Sequence, residues 1–437
     1  MFLLFDAFRA DKFHGSQKKS ETPHIDSLIK SGSYFEQAVS SADGTTLALN
    51  SIFTGLYPHV TGTREINLSF NNRNYIHALR DFGYNIYGVM PYLTSFAPLS
   101  KMCLNNNSTY DGGPPAQSLF DGLGDKIIDV MLSSMKEPWF YYVHVMDLHW
   151  PLIVPEKYND TKYGATKYDR VVSSVDSWIG KISQHIDQKN TLVIITADHG
   201  AIVPVDDKDV TEFEPNFDTG LKLGKRIMPK STHKLGAKLF TSTRNMIRDL
   251  RLKTANKNLS EYEKRSRLPY FTLSLFDEAI RVPLLFTGLD IKPKMITQQV
   301  RGIDIFPTIA EIIKLPYEKQ IQGRSLFPFF NDNKIEELPV YMHTIPYQEI
   351  SPNDAVGIRT SQYKYFRGSR EPNYNVHLYD LKNDPLENNN IALSNPEIVK
   401  QMEMILTKIQ NVPVKHNDIT EDEEKKIREE LKKLGYL

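Results

Sequence analysis

Short apolar runs alternate along this chain with stretches whose apolar residues recur at helical spacing. The runs at Phe2–Phe5, 86–89, 140–145, 192–196 and 282–286 read as strands. The segments 25–31, 75–82, 124–134 and 168–186 between them place apolar residues three and four apart and read as helices. This alternation predicts an α/β fold, a largely parallel sheet with helices on both faces. Sheets of this kind bind ligands outside the carboxyl ends of their strands. The residues that directly follow an apolar run are therefore the ones to inspect for chemistry.

Two segments depart from the pattern. Six carboxylates crowd between Asp206 and Asp218, and residues 222–267 hold 14 Lys and Arg against 3 Asp and Glu. We read about 203–270 as a basic insertion in an α/β core that spans 1–330, followed by a smaller α+β subdomain over 331–415. Beyond it, Thr420 with Glu423 three residues later has the form of a capping box opening a charged amphipathic run. A terminal helix is expected over 416–437. No internal repeat is visible.

Composition narrows the functional classes. The chain has 437 residues, 40% hydrophobic and 24% charged, an ordinary globular balance that excludes collagen-like, coiled-coil and disordered proteins. Fifty-three basic residues match 53 acidic ones, so no net field draws the protein to nucleic acid, and no nucleic acid partner is expected. The single cysteine, Cys103, excludes an internal disulfide and a thiolate zinc site. No apolar run reaches the roughly 18 to 20 residues that span a bilayer, and no signal-peptide pattern opens the chain. A cytoplasmic location is the expectation.

The candidate chemistry sits where the strands end. Asp6 follows the first run, and Asp198-His199-Gly200 follows the run at 192–196. If those strands are neighbours, two carboxylates and an imidazole converge on one rim, a donor set suited to a divalent cation.

Read together, the segments resemble a known family. Asp6-Ala7-Phe8-Arg9-Ala10-Asp11, Thr22-Pro23-His24-Ile25-Asp26 and Ser51-Ile52-Phe53-Thr54-Gly55-Leu56-Tyr57-Pro58 are similar to successive N-terminal motifs of the sulfatases within the alkaline phosphatase superfamily. His144-Val145-Met146-Asp147-Leu148-His149-Trp150-Pro151 resembles their histidine–proline loop, and Thr196-Ala197-Asp198-His199-Gly200 their second metal motif. Further similar elements are Leu275-Phe276-Asp277-Glu278, Arg281-Val282-Pro283-Leu284, Gly323-Arg324-Ser325-Leu326 and Arg359-Thr360 with Lys364-Tyr365. The resemblance covers nearly all of the chain outside about 203–270. It implies a three-layer α/β sandwich of the sulfatase or alkaline phosphatase type, with a mostly parallel central sheet and a smaller C-terminal subdomain.

Counted back from Thr54-Gly55, the family's nucleophile position falls on Thr45. Formylglycine sulfatases carry Cys or Ser there and Arg four residues later, where this chain has Thr45 and Leu49. Threonine cannot be oxidised to that aldehyde. The paired aspartates of sulfatases are reduced to Asp6-Ala7, and Met90-Pro91-Tyr92 stands where a Lys-x-His element would clamp sulfate. The resemblance therefore points to the branch with a threonine nucleophile, the phosphodiesterases and phosphoalcohol transferases.

On this reading Asp6, Thr45, Asp198 and His199 hold a divalent metal, Mn or Zn favoured by the imidazole over Ca or Mg. Thr45 attacks a phosphoester and forms a covalent intermediate, and His149 protonates the leaving oxygen. Thr46 is the alternative nucleophile if the register slips by one. Asp147 either orients His149 or caps a turn. Arg9 contacts substrate or pairs with nearby carboxylates, and His233 contacts substrate, completes a second metal site or belongs to a basic surface loop. The expected partner is an anionic ester: a phosphorylated or sulfated glycan, a lipid or a nucleotide-type molecule. Peripheral membrane contact through 235–252 is one reading of the insertion; a phosphate-recognising lid and a solvated charge run are others. The competing functions are a sulfuric ester hydrolase and an inactive binder of anionic glycans or lipids.

Overall fold

The computed structural model describes residues 1–62, 74–133, 135–208, 210–213, 233–268, 274–317, 321–344 and 354–411. Among them the strands, in chain order, are β1 (Phe2–Phe5), β2 (Ser33–Phe35), β3 (Ala38–Val39), β4 (Asn85–Pro91), β5 (Thr109–Tyr110), β6 (Trp139–Val145), β7 (Val193–Ala197), β8 (Arg281–Val282), β9 (Leu284–Thr287), β10 (Lys294–Ile296), β11 (Val300–Arg301), β12 (Val340–His343), β13 (Ala355–Arg359), β14 (Tyr363–Gly368) and β15 (His377–Asp380). Eight form one sheet in the order β10-β2-β9-β7-β1-β6-β4-β5. Only β9 runs against its neighbours. All four residues of β1 are buried, as a strand covered on both faces requires.

Register decides where the chemistry falls. Phe5 lies opposite both Val145 and Ala197, so β1, β6 and β7 end together. Asp6 and Asp198 therefore leave the sheet side by side, with His144 one residue inside the same rim.

The apolar run at 282–286 is not one strand. Pro283 divides it: β8 pairs with β3 in a three-stranded sheet, and β9 joins the large sheet beside β7. Proline has no N–H to give a ladder, so the chain changes sheets there. The freed Pro283 carbonyl accepts the Thr196 hydroxyl at 2.8 Å.

Helices Pro23–Ser31, Tyr75–Asp81, Gly124–Leu132 and Lys167–Ser183 match the helical segments of the pattern. The last begins with a reciprocal capping box between Thr166 and Asp169 and buries Val171, Val175, Trp178 and Ile182 along one face. Its buried Asp176 accepts the N–H groups of Ile25 (2.7 Å) and His24 (3.3 Å), satisfying the open donors at the start of helix Pro23–Ser31.

Strands β12 to β15 form an antiparallel sheet covered by helix Pro396–Gln410, which buries Met402 and Leu406. A buried charge cluster joins this sheet to the core. Arg359 grips Asp277 through two bonds of 2.9 and 2.8 Å, while Lys364 lies 2.5 Å from Asp277 and 2.8 Å from Glu387.

The chain divides into two compact units, residues 1–201 with 273–437, and residues 202–272. Within the second, helix His233–Ala255 precedes helix Glu261–Ser266, and Arg267 pairs with Asp206 at 2.6 Å. One basic residue of the insertion thus meets its acidic stretch. Among the described residues, no helix is long and apolar enough to cross a membrane. The terminal helix expected over 416–437 lies outside the described residues.

Candidate active site

Thr45 is the first residue of helix Thr45–Thr54, entered from the extended backbone of Gly44 and ended by Gly55 at φ 67°. A C-cap in the left-handed region is where glycine is favoured. The helix N-terminus meets the rim at Thr45. The Thr45 hydroxyl donates to Asp6 Oδ2 at 3.1 Å and lies 3.4 Å from His199 Nε2. Asp198 Oδ1 accepts the N–H groups of His199 (2.8 Å) and Ala7 (3.3 Å), which fixes the carboxylate against the end of β1.

His199 presents one nitrogen to the site. Its Nδ1 lies 2.6 Å from the Gly200 carbonyl, which can only accept, so Nδ1 carries a proton, and in the neutral ring Nε2 offers its lone pair. That Nε2 is 3.6 Å from Asp6 Oδ1 and 3.8 Å from Asp198 Oδ2. Gly200 is required by close approach, because a Cβ there would lie 2.2 Å from the Glu278 carbonyl oxygen.

The electrostatics are those of a site short of positive charge. Burial opposes ionisation of Asp6, but the His144 hydrogen bond and the imidazoles of His149 and His199 outweigh it and hold the carboxyl below the usual range. Burial and the adjacent Asp6 charge hold Asp198 above that range. His199 is raised despite its burial, by Asp198 and Asp6. Asp6 Oδ1 and Asp198 Oδ2 are buried and have no hydrogen-bond partner among the described residues. Two orphaned carboxylate oxygens beside an imidazole lone pair and a hydroxyl fit a divalent cation, which would relieve the repulsion between the carboxylates.

Asp6, Thr45, Asp198 and His199 are therefore brought together. His149 lies on the turn after β6, 6% exposed, and its Nδ1 is 2.7 Å from the Trp150 carbonyl, so in the neutral ring Nδ1 carries the proton and Nε2 is the nitrogen that can take up or give a second one. Burial lowers its pKa. The Asp147 carboxylate accepts the Leu119 N–H at 3.1 and 3.2 Å and also faces its own backbone N–H. Arg9 is 2% exposed and held by Asp11 through two bonds of 2.9 and 2.8 Å, the loop-setting alternative. His233 opens a helix of the second unit, and its side chain lies outside the described portion. Leu47 and Leu49 are fully buried, and Tyr92 is exposed.

The sequence reading passed over His144. Its Nε2 lies 3.4 Å from Asp6 Oδ2, and its Nδ1 is 2.9 Å from the Tyr142 hydroxyl. Asp6, His144 and Asp198 bring ligand atoms within 4.8 Å of one another. His144 stands inside an apolar run, and only the pairing of Leu4 with both His144 and Thr196 shows that it faces the site.

A mostly parallel sheet with acid, hydroxyl and imidazole groups gathered at its carboxyl rim is the architecture of the sulfatase fold. The family model described as Sulfatase matches residues 1–315, and that described as N-sulphoglucosamine sulphohydrolase, C-terminal, matches residues 270–413. The chain belongs to the Sulfatase family, within the alkaline phosphatase superfamily. It is 29% identical to arylsulfatase K of Homo sapiens over 151 residues, 33% of this chain and 28% of that protein. It is 23% identical to N-acetylgalactosamine-6-O-sulfatase of Bacteroides thetaiotaomicron over 312 residues, 67% of this chain and 51% of that protein. The chain thus spans about a quarter to a half of these relatives. Among solved structures, the phosphonate monoester hydrolases of Agrobacterium radiobacter (TM-score 0.65, 16% identity, 94% of this chain and 95% of that one) and Silicibacter pomeroyi (0.66, 14%, 97% of each) share the fold.

Proposed function

We propose that the protein is a metal-dependent phosphoester hydrolase or transferase that works through a covalent Thr45 intermediate. The observation that carries this reading is the Thr45 hydroxyl, 3.1 Å from Asp6 and 3.4 Å from His199 at the start of a ten-residue helix. A divalent cation bound by Asp6, Asp198 and His199 would supply the positive charge that lowers the pKa of this hydroxyl and neutralises the ester's oxygens. The acidified Thr45 hydroxyl gives its proton to water, and Oγ1 forms a bond to phosphorus as the bond to the leaving oxygen breaks. Ala48 is the first residue whose N–H is taken within the helix, by Gly44, so the preceding N–H groups are open to the phosphoryl oxygens. His149, protonated at Nε2, gives that proton to the departing alkoxide. Water, or an acceptor alcohol in a transferase, then attacks the phosphothreonine, with His149 as the base.

The relatives' names favour a second reading, hydrolysis of a sulfate ester, with sulfated glycans as the substrate class. Against it stands the side chain itself: threonine yields no formylglycine, and no Arg follows at position 49. Aryl phosphate monoesters, phosphodiesters and sulfates assayed with Mn, Zn, Mg and Ca separate the two. We expect a phosphate ester to turn over fastest, without coexpression of a formylglycine-generating enzyme. Faster turnover of the aryl sulfate under matched metal conditions would overturn the phosphoester reading.

A further inference from the structure

Beside His149 lies a narrow cavity with two walls. One is carried by the turn after β6 and includes Met146, His149 and Trp150; the other belongs to the loop after β5 and includes Gly112, Pro114 and Ser118. The Asp147 carboxylate, which also lines the cavity, links them by accepting the Leu119 N–H on both oxygens, 3.1 and 3.2 Å away. Each side is braced further. On the loop side, Gln117 N–H bonds the Asp111 carbonyl, and the Phe120 ring meets Tyr158 and Trp178 edge-on. On the other, His149 N–H bonds the Met146 carbonyl at 3.0 Å, so Asp147 and His149 ride on one turn.

Asp147 is thus a polar tie between the two walls. Burial pushes its pKa up to about 7, against the pull of the Leu119 N–H. A carboxyl held there at a desolvation cost, when an apolar residue could pack against Leu119, suggests a role beyond packing.

We propose that Asp147 is a positioning residue that sets the distance between His149 Nε2 and the leaving-group oxygen by tying the turn of His149 to the opposite wall. The proposal rests on His149 acting as the acid. A displaced acid matters most when the leaving alcohol is a poor one, because a good leaving group departs without the proton.

The test compares p-nitrophenyl, phenyl and benzyl esters of one phosphate, with the His149→Ala variant as reference. Asp147→Ala is expected to lower kcat on the benzyl ester on the order of 10-fold to 100-fold more than on the p-nitrophenyl ester. Asp147→Asn keeps an oxygen for the Leu119 N–H and should stay within about threefold of wild type on all three esters. If Asp147→Ala does not fold, Leu119→Pro removes the donor from the other side and should give the same leaving-group-selective loss. Equal losses on all three esters, with no rescue by Asn, would overturn the positioning role. If His149→Ala itself shows no dependence on the leaving group, the acid assignment fails and takes the proposal with it.

Discussion

Two buried carboxylates come together at Asp6 and Asp198, and each keeps one oxygen without a hydrogen-bond partner among the described residues. Asp198→Asn removes one of the two charges. Without metal, the variant should be at least as stable as wild type, because the repulsion is gone. With Mn or Zn added, only wild type should gain thermal stability, since a ligand that binds the native state alone raises the melting temperature. Elemental analysis and thermal melts check both statements, and unchanged metal stoichiometry in the variant would refute the ligand set. His144→Gln should weaken metal binding on the scale of roughly 10- to 100-fold, as loss of a group that orients a ligand does. Asp6, Asp198 and His199 were legible in the sequence because they stand just outside apolar runs, where polarity is conspicuous. His144 was not, because its significance depends on which strands lie beside β6.

At the scale of elements, the turn after β7 and the charge cluster under the C-terminal sheet make separate predictions. Gly200→Ala places a methyl against the Glu278 carbonyl and must push the His199 turn away. A loss of about 1–3 kcal/mol in stability is expected, with weakened metal binding, measured by denaturant titration and calorimetry. Asp277→Ala strands Arg359 and Lys364 without their shared carboxylate and should cost about 3–5 kcal/mol. Burial opposes the Asp277 charge, but Arg359 and Lys364 overcome it and hold the carboxyl well below its usual range. The sign follows from that depression. The contribution of Asp277 to stability is complete above an ordinary carboxylate pKa of about 4 and is lost as pH falls through the lower native value, whereas Glu387, pushed up to about 7 chiefly by burial, has the opposite dependence and favours the fold below that value. Wild type should therefore keep the near-ultraviolet signal of this sheet through mild acid, with Asp277→Ala losing it at higher pH than wild type. Strands β1, β4, β6 and β7 and the helices Pro23–Ser31, Tyr75–Asp81, Gly124–Leu132 and Lys167–Ser183 could be read from apolar spacing, whereas the shorter strands and the division at Pro283 could not. Periodicity shows that a run is buried, but not that one proline sends its two halves to different sheets.

For the molecule as a whole, the basic helix of the second unit and the site of the first give independent tests. If the basic insertion recognises a polyanionic substrate, replacing Arg244, Arg248 and Arg251 together by Ala should raise KM for that substrate and flatten its salt dependence, while a small aryl ester is little affected. Equal losses on both would indicate a structural role for these arginines. The family was legible from motif order along the chain, but the chemistry turns on a single side chain at the rim of the large sheet. Thr45→Ala should lower kcat by several orders of magnitude, Thr45→Ser should retain part of it because the hydroxyl remains, and Thr46→Ala should be mild. The most direct measurement is mass spectrometry of peptides from enzyme mixed briefly with a phosphate ester and quenched in acid. The account predicts a phosphate adduct on Thr45; an adduct on Thr46, or none together with full kcat in Thr45→Ala, would contradict it.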